Sequence, residues 1–126
     1  MRVLDLGCGS GRDLRGWGLS VSDKITGLDI DSACLSHAKA RFCGRLYVQG
    51  AGECLPFQDE SFERIICSVA LPYMEISKAL AEACRTLVPG GRLSVSLHPP
   101  SFYDKRTSAQ CTSETDPHHI SPIRFR

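Results

Sequence analysis

The sequence predicts an α/β domain, an open parallel sheet of about five strands with helices on its faces. Three observations carry that expectation. Short apolar runs alternate with segments of helical period, the pattern of βαβ units. A glycine-rich turn, Gly7-Cys8-Gly9-Ser10-Gly11, follows directly on the first run, Val3 to Leu6. An acid, Asp29, lies at the end of the second run, Ile25 to Ile30. Crossovers between successive parallel strands are right-handed.

The elements follow in order. After the second run, Asp31 or Ser32 can cap a helix whose face holds Leu35, Ala38 and Phe42. Gly44 stands where a helix C-terminus favours a residue tolerant of positive φ. Leu46 to Val48 reads as a third short strand. The link from Val48 to Phe62 has no helical period and is expected as a loop beside the ligand site. Phe62 to Val69 contains Ile65-Ile66-Cys67, a buried-strand pattern. A helix is expected from about Glu75 to Val88, with Ile76, Leu80, Cys84 and Leu87 on one face, ended by Pro89-Gly90-Gly91. Leu93, Val95 and Leu97 then alternate with Ser94 and Ser96, a strand with one apolar face and one that tolerates water. Beyond Pro99-Pro100 the periodicity stops. Residues 1–100 are therefore expected to form one domain and 101–126 a poorly ordered tail.

Composition sets the outer bounds. The 126 residues suffice for one domain of ordinary size. Hydrophobic residues make up 42% and charged residues 23%, the balance of a soluble globular protein. A net charge of +1 gives no basic field of the kind nucleic-acid binding needs. No uninterrupted apolar stretch is long enough to span a membrane, and no export signal is recognised at the N-terminus. The 7 cysteines are odd in number and lack paired metal-type spacing. They read as reduced thiols of a cytoplasmic protein, and no metal site is expected.

The chemistry concentrates in two places. Glycines at alternate positions after a strand let the chain turn sharply and let a ligand lie against bare backbone. A dinucleotide reader would want a further glycine three residues after Gly9, where this chain has Arg12. The spacing therefore argues against a pyrophosphate grip. Asp29 can accept hydrogen bonds from both hydroxyls of a ribose through its two carboxylate oxygens. Its other reading is a helix-capping acid, a role that Asp31 or Ser32 fills more naturally.

These motifs resemble those of the class I S-adenosylmethionine-dependent methyltransferases, in the branch that often modifies small molecules, over about residues 1–100. Leu4-Asp5-Leu6-Gly7-Cys8-Gly9-Ser10-Gly11 is similar to the family's first motif, and Gly27-Leu28-Asp29-Ile30-Asp31 to its acidic second motif. Glu53-Cys54-Leu55-Pro56-Phe57 with Asp59-Glu60-Ser61-Phe62 resembles the segment beside the adenine. Leu87-Val88-Pro89-Gly90-Gly91-Arg92-Leu93 resembles the turn into the fifth strand. The resemblance implies a Rossmann-like sheet in the order 3-2-1-4-5, without the family's terminal helix and final strand pair. It also implies roles. Asp5 would hold the ammonium of the methionine part, and Gly7, Cys8 and Gly9, with Gly11 in the same loop, would offer backbone to the cofactor. Asp29 would take the ribose hydroxyls, Ile30 would pack on the adenine, and Gly52 and Glu53 would border its edge. Cys67 would face the methionine part, its other reading being a core thiol. The chain departs from the family in having Ala51, not an acid, before Gly52.

Other residues carry weaker signals. Tyr73 in Leu71-Pro72-Tyr73 and His98 beyond the fifth strand are read as loop and surface positions. Cys34 with His37, and His118-His119, form no matched ligand set. Arg12, Arg15, Lys105 and Arg106 are read as solvated charges. The expected function is methyl transfer from S-adenosylmethionine to a small-molecule acceptor, with no catalytic residue assignable. The competing reading is a truncated, non-catalytic cofactor-binding module that needs an extension or a partner chain. Action on RNA or protein is disfavoured by the near-neutral charge.

Overall fold

The computed structural model describes residues 1–98 and the backbone of 121–124. The strands are β1 (Arg2–Leu6), β2 (Lys24–Asp29), β3 (Leu46–Gln49), β4 (Phe62–Ser68), β5 (Leu87–Ser96) and β6 (Ser121–Arg124). The helices are α1 (Ser32–Arg41), between β2 and β3, and α2 (Ile76–Thr86), between β4 and β5, with single 3₁₀ turns at Arg15–Trp17 and Leu71–Tyr73. All six strands form one sheet in the order β3-β2-β1-β4-β5-β6. The first five are parallel, as the alternating pattern predicts.

Strand alternation divides the core between the two faces. Leu4, Leu6, Leu28, Ile65, Cys67, Leu93 and Val95 share a cluster with Ala83 of α2 and with Leu55 and Phe62. Val3 and Ile66 point the other way and meet Leu14, with Trp17, Leu19 and Ile25 at the margin. Helix α1 packs over β2 and β3. The Tyr47 hydroxyl lies within bonding distance of two carbonyls at the end of that helix, Ala38 at 3.1 Å and Phe42 at 3.0 Å. Asp31 caps α1, its carboxylate accepting from the amides of Ala33 (2.9 Å) and Cys34 (3.3 Å). Leu35 and Ala38 are buried as the period requires.

Four expectations need correction. Helix α2 is shorter than Glu75 to Val88, and its buried residues are Ala79, Ala83 and Thr86. Ile76 and Cys84 are exposed. Leu80 and Leu87 of the expected face do pack on the core, so the buried side of the helix is shared by these leucines with Ala79 and Ala83. Pro89-Gly90-Gly91 does not merely end the helix but lies within β5, where Gly90 takes φ 78°. The ladder to β4 accordingly slips between Phe62 and Arg64. Helix α1 ends at Arg41 with Phe42 as its C-cap, and Gly44 is not among the positive-φ residues. Finally, Ser94 is buried and Leu97 is 51% exposed, so the serine face of β5 is not a wet one.

The edge of β5 is covered too. β6 pairs with it antiparallel, Leu93 opposite Ile123 and Ser94 opposite Pro122. Proline, which has no amide hydrogen, is tolerated on an edge strand. These four residues come from the stretch expected to be a tail, and the rest of that stretch lies outside the described residues.

Candidate functional site

A cleft opens at the carboxyl ends of β1, β2 and β4, the place where parallel sheets of this kind bind ligands. Its volume is about 270 Å³, just below the roughly 300–1,000 Å³ of ordinary small-molecule pockets. Asp29 and Ile30 form one wall with Leu28, and Gly50 to Glu53 form a second. Gly7, Ala70, Tyr73 and Met74 close the third side.

The glycine loop is folded in on itself. The amides of Gly7 and Cys8 both donate to the Leu28 carbonyl, at 2.8 and 2.9 Å, and the Gly11 amide donates to Cys8 at 3.0 Å. The Gly9 amide donates to the Asp29 carboxylate at 2.8 Å. Only a 3₁₀ turn follows the loop, so no α-helix N-terminus points into it. Inward-facing amides and a missing helix dipole make a poor phosphate cradle. This is the physical content behind the spacing that disfavours a dinucleotide. Gly7 is required twice over. Its φ is 72°, and a Cβ there would stand 2.4 Å from that of Ala70.

Asp29 is aimed. One carboxylate oxygen accepts from Gly9 and the other from the Asp31 amide at 2.9 Å. Each oxygen keeps lone-pair capacity toward the cleft, enough for a vicinal diol. The capping role falls to Asp31 alone. Beside it Ile30 is 72% exposed and Tyr73 70% exposed. Two large apolar side chains bare at a cleft rim are suited to a flat aromatic ring. Glu53 lies at the opposite rim, where its carboxylate accepts from the Glu75 amide at 2.9 Å. It thereby caps α2 from a distance and ties the two rims together. A Cβ on Gly52 would stand 2.5 Å from the Met74 sulfur, so the glycine makes room for that side chain.

Five of the ten residues expected at the site thus line the open cleft: Gly7, Asp29, Ile30, Gly52 and Glu53. The other five are not part of its lining. Gly11 packs against Phe42 and Ala38 of the α1 terminus. Cys8 is buried, and its thiol is pushed up to about 12 by burial, with Asp5 and Asp29 adding to the effect. Burial likewise raises the Cys67 thiol to about 12, and its side chain belongs to the core cluster. Neither thiol is a nucleophile in this form. Gly9 serves Asp29 through its amide.

Asp5, buried like Cys8 and Cys67, is the exception. It is 1% exposed, and neither carboxylate oxygen has a hydrogen-bond partner. Burial raises its pKa above 3.8 despite the opposing charges of Arg12 and Arg45. An ion pair to Arg12 is present, but at 3.5 Å it is too long to offset the desolvation. A buried carboxylate without donors fits a cofactor that brings an ammonium group.

Arg12 is the residue the sequence reading missed. Only 18% of its side chain is exposed. Its guanidinium donates to the Gly7 carbonyl at 2.7 Å and to the Ser68 carbonyl at 3.2 Å. The signal was a buried acid on β1 in need of a nearby cation. Two further arginines hold the loop's outer carbonyls, Arg41 on Gly11 at 3.2 Å and Arg45 on Arg12 at 2.8 Å. His98 lies beyond β5 and not in the cleft wall, and among the described residues no group of three or more His, Cys, Asp or Glu could hold a metal. No helix among them is long and apolar enough to cross a membrane.

Comparison with known proteins agrees with this geometry. A methyltransferase domain model matches residues 4–95. A malonyl-[acyl-carrier protein] O-methyltransferase from Erwinia pyrifoliae is 35% identical over 97 residues, 76% of this chain and 37% of the relative. A ubiquinone/menaquinone biosynthesis C-methyltransferase from Francisella philomiragia is 38% identical over 103 residues, 75% of this chain and 41% of the relative. The crystal structure of YcgJ from Bacillus subtilis superposes with a TM-score of 0.67 at 30% identity, covering 75% of this chain and 42% of that one. The chain thus spans about two fifths of the length of these relatives. Its sheet order, its glycine loop and the match over most of its length place it plainly: the chain belongs to the methyltransferase domain family, whose methyl donor is S-adenosylmethionine.

Proposed function

We propose that this chain supplies the nucleoside-binding half of an S-adenosylmethionine-dependent methyltransferase acting on a small-molecule acceptor. The carrying observation is Asp29, a carboxylate oriented by two backbone amides at the mouth of a cleft with Ile30 beside it. In this reading Asp29 holds the ribose hydroxyls, while Ile30 and Tyr73 flank the adenine. Gly52 and Glu53 border its edge. Asp5 serves the ammonium, and the Gly7–Gly11 loop, with Cys8 and Cys67 behind it, shapes the floor. The cofactor supplies an already activated methyl group on a sulfonium. The chain's residues then contribute binding, orientation and exclusion of water, and no dedicated acid or base is required. A reducing, cytoplasmic setting belongs to the same reading.

The test is titration calorimetry with S-adenosylhomocysteine and with NAD. The expected result is binding of the first in preference to the second. Preference for NAD would overturn the reading.

A second reading is supported by the state of the methionine side, which Arg12 and its partners fill. The 126 residues alone would bind the nucleoside with little turnover, and an added segment or partner chain would complete the pocket. An assay for S-adenosylhomocysteine release over a panel of small nucleophiles separates the two. Robust turnover by the chain alone would exclude the second.

A further inference from the structure

The open cleft contains the residues suited to a nucleoside, yet the place suited to the amino-acid part is occupied by the protein itself. Three acceptors converge there: the Gly7 carbonyl at the end of β1, the Ser68 carbonyl at the end of β4, and the Asp5 carboxylate beneath them. The Arg12 guanidinium sits among all three. A different guanidinium nitrogen approaches each, and together they offer three oxygen acceptors and one negative charge, matching in number the three N–H donors and the charge of +1 of a primary ammonium. Arg12 serves them incompletely. It makes hydrogen bonds to the two carbonyls but leaves both Asp5 oxygens without one.

We propose that Arg12 is a stand-in for the cofactor's α-ammonium: its guanidinium gives way when the cofactor binds and moves onto the cofactor's α-carboxylate. This rests on the cofactor reading above. The exchange keeps every charge paired. Before it, Asp5 faces Arg12; after it, Asp5 faces the ammonium and Arg12 faces the carboxylate. It also improves the hydrogen bonding. A compact ammonium can reach the Asp5 oxygens that the planar fork does not, and a guanidinium is better matched to a carboxylate than to isolated carbonyls. The side chain has a way out, because Arg12 lies in a non-helical segment and is partly exposed at the surface. Discrimination follows. A ligand with the ammonium but no carboxylate must evict Arg12 and gives it nowhere to go.

Three ligands separate the contributions: S-adenosylhomocysteine, its decarboxylated amine counterpart, and 5′-methylthioadenosine, which has neither group. Each is titrated into the unaltered chain and into Arg12→Ala. The amine counterpart is expected to bind the variant at least tenfold more tightly than the unaltered chain. S-adenosylhomocysteine should lose affinity in the variant, and 5′-methylthioadenosine should change less than twofold. Equal or weaker binding of the amine counterpart by the variant would overturn the proposal while leaving the cofactor reading intact. Uniform weakening of all three ligands, with a lowered thermal midpoint, would show a purely structural Arg12 and also overturn it. Binding of none by the unaltered chain would remove the cofactor reading and this inference with it.

A second measurement does not depend on the variant folding. The Nε–H signal of Arg12, followed by NMR in the unaltered chain, should shift with S-adenosylhomocysteine and stay in place with 5′-methylthioadenosine. An unmoved signal with both ligands bound would overturn the exchange.

Discussion

The two halves of this region, the open cleft and the charged cluster of Asp5 and Arg12 beside it, share one loop but are solved differently. On the Asp29 side the backbone satisfies itself and a single carboxylate, Asp29, is left aimed outward by the Gly9 and Asp31 amides. On the other side a carboxylate, Asp5, is buried without donors and a neighbouring arginine fills the space above it. The first half is preorganised: two backbone amides already hold its polar group, so little ordering would be lost on binding a ligand there. The second half holds an incompletely satisfied charge, which is a reservoir of binding free energy and also a burden on the fold. A glycine stands at the boundary between them.

That boundary is where the largest effect is expected. Gly7→Val sets a Cβ against Ala70 and forces a β-branched residue to φ 72°. Overpacking and the left-handed backbone together cost about 2–4 kcal/mol. Urea unfolding should show that loss, and nucleoside binding should disappear with it. Retained stability would mean that Ala70 yields easily and that the two halves are not separated by a rigid wall.

Removing the preorganised carboxylate comes next. Asp29→Ala should weaken S-adenosylhomocysteine by about 1.5–3 kcal/mol, the usual loss for hydrogen bonds to a charged group. The fold should persist, because the core clusters do not include Asp29. Unchanged affinity by calorimetry would show that the cleft is not a ribose site.

The smallest effect concerns Asp5 and is read through pH. Burial raises its pKa above the ordinary 3.8, Asp29 adds to the rise, and Arg12 and Arg45 oppose it. The folded chain therefore holds the Asp5 proton more tightly than the unfolded chain. Stability should fall as pH rises from about 3.8 through the folded value, since the folded state binds the extra proton across that window. Asp5→Asn removes this contribution and should flatten the decline. Parallel pH–stability curves for the two proteins would show that Arg12 compensates Asp5 fully, and the contrast between the halves would vanish.

Much of this was legible in the residues. The parallel sheet follows from apolar runs spaced by helical segments, and local chemistry offers Asp31 or Ser32 as the cap, of which the structure uses Asp31, and leaves Asp29 as the outward acid. Those inferences survive because they depend on near neighbours: a strand period, a capping side chain, a glycine at a turn. The missed features each depend on a partner distant in the chain. Which residues of α2 are buried was settled by the sheet beneath it: Ala79, Leu80 and Ala83 face the core and Ile76 does not. Ser94 is covered because it lies beside Ile66 on β4, and residues 121–124 became a strand because β5 offered an unpaired edge.

Arg12 shows the same division most sharply. The sequence determined that a cation follows the glycine loop and that an acid precedes it. It did not determine that Ser68, fifty-six residues away, would bring a carbonyl to the same guanidinium. A site for a charged group is defined by acceptors that converge in space. The sequence specifies their types, and only the pairing of β1 with β4 puts them within reach of one guanidinium.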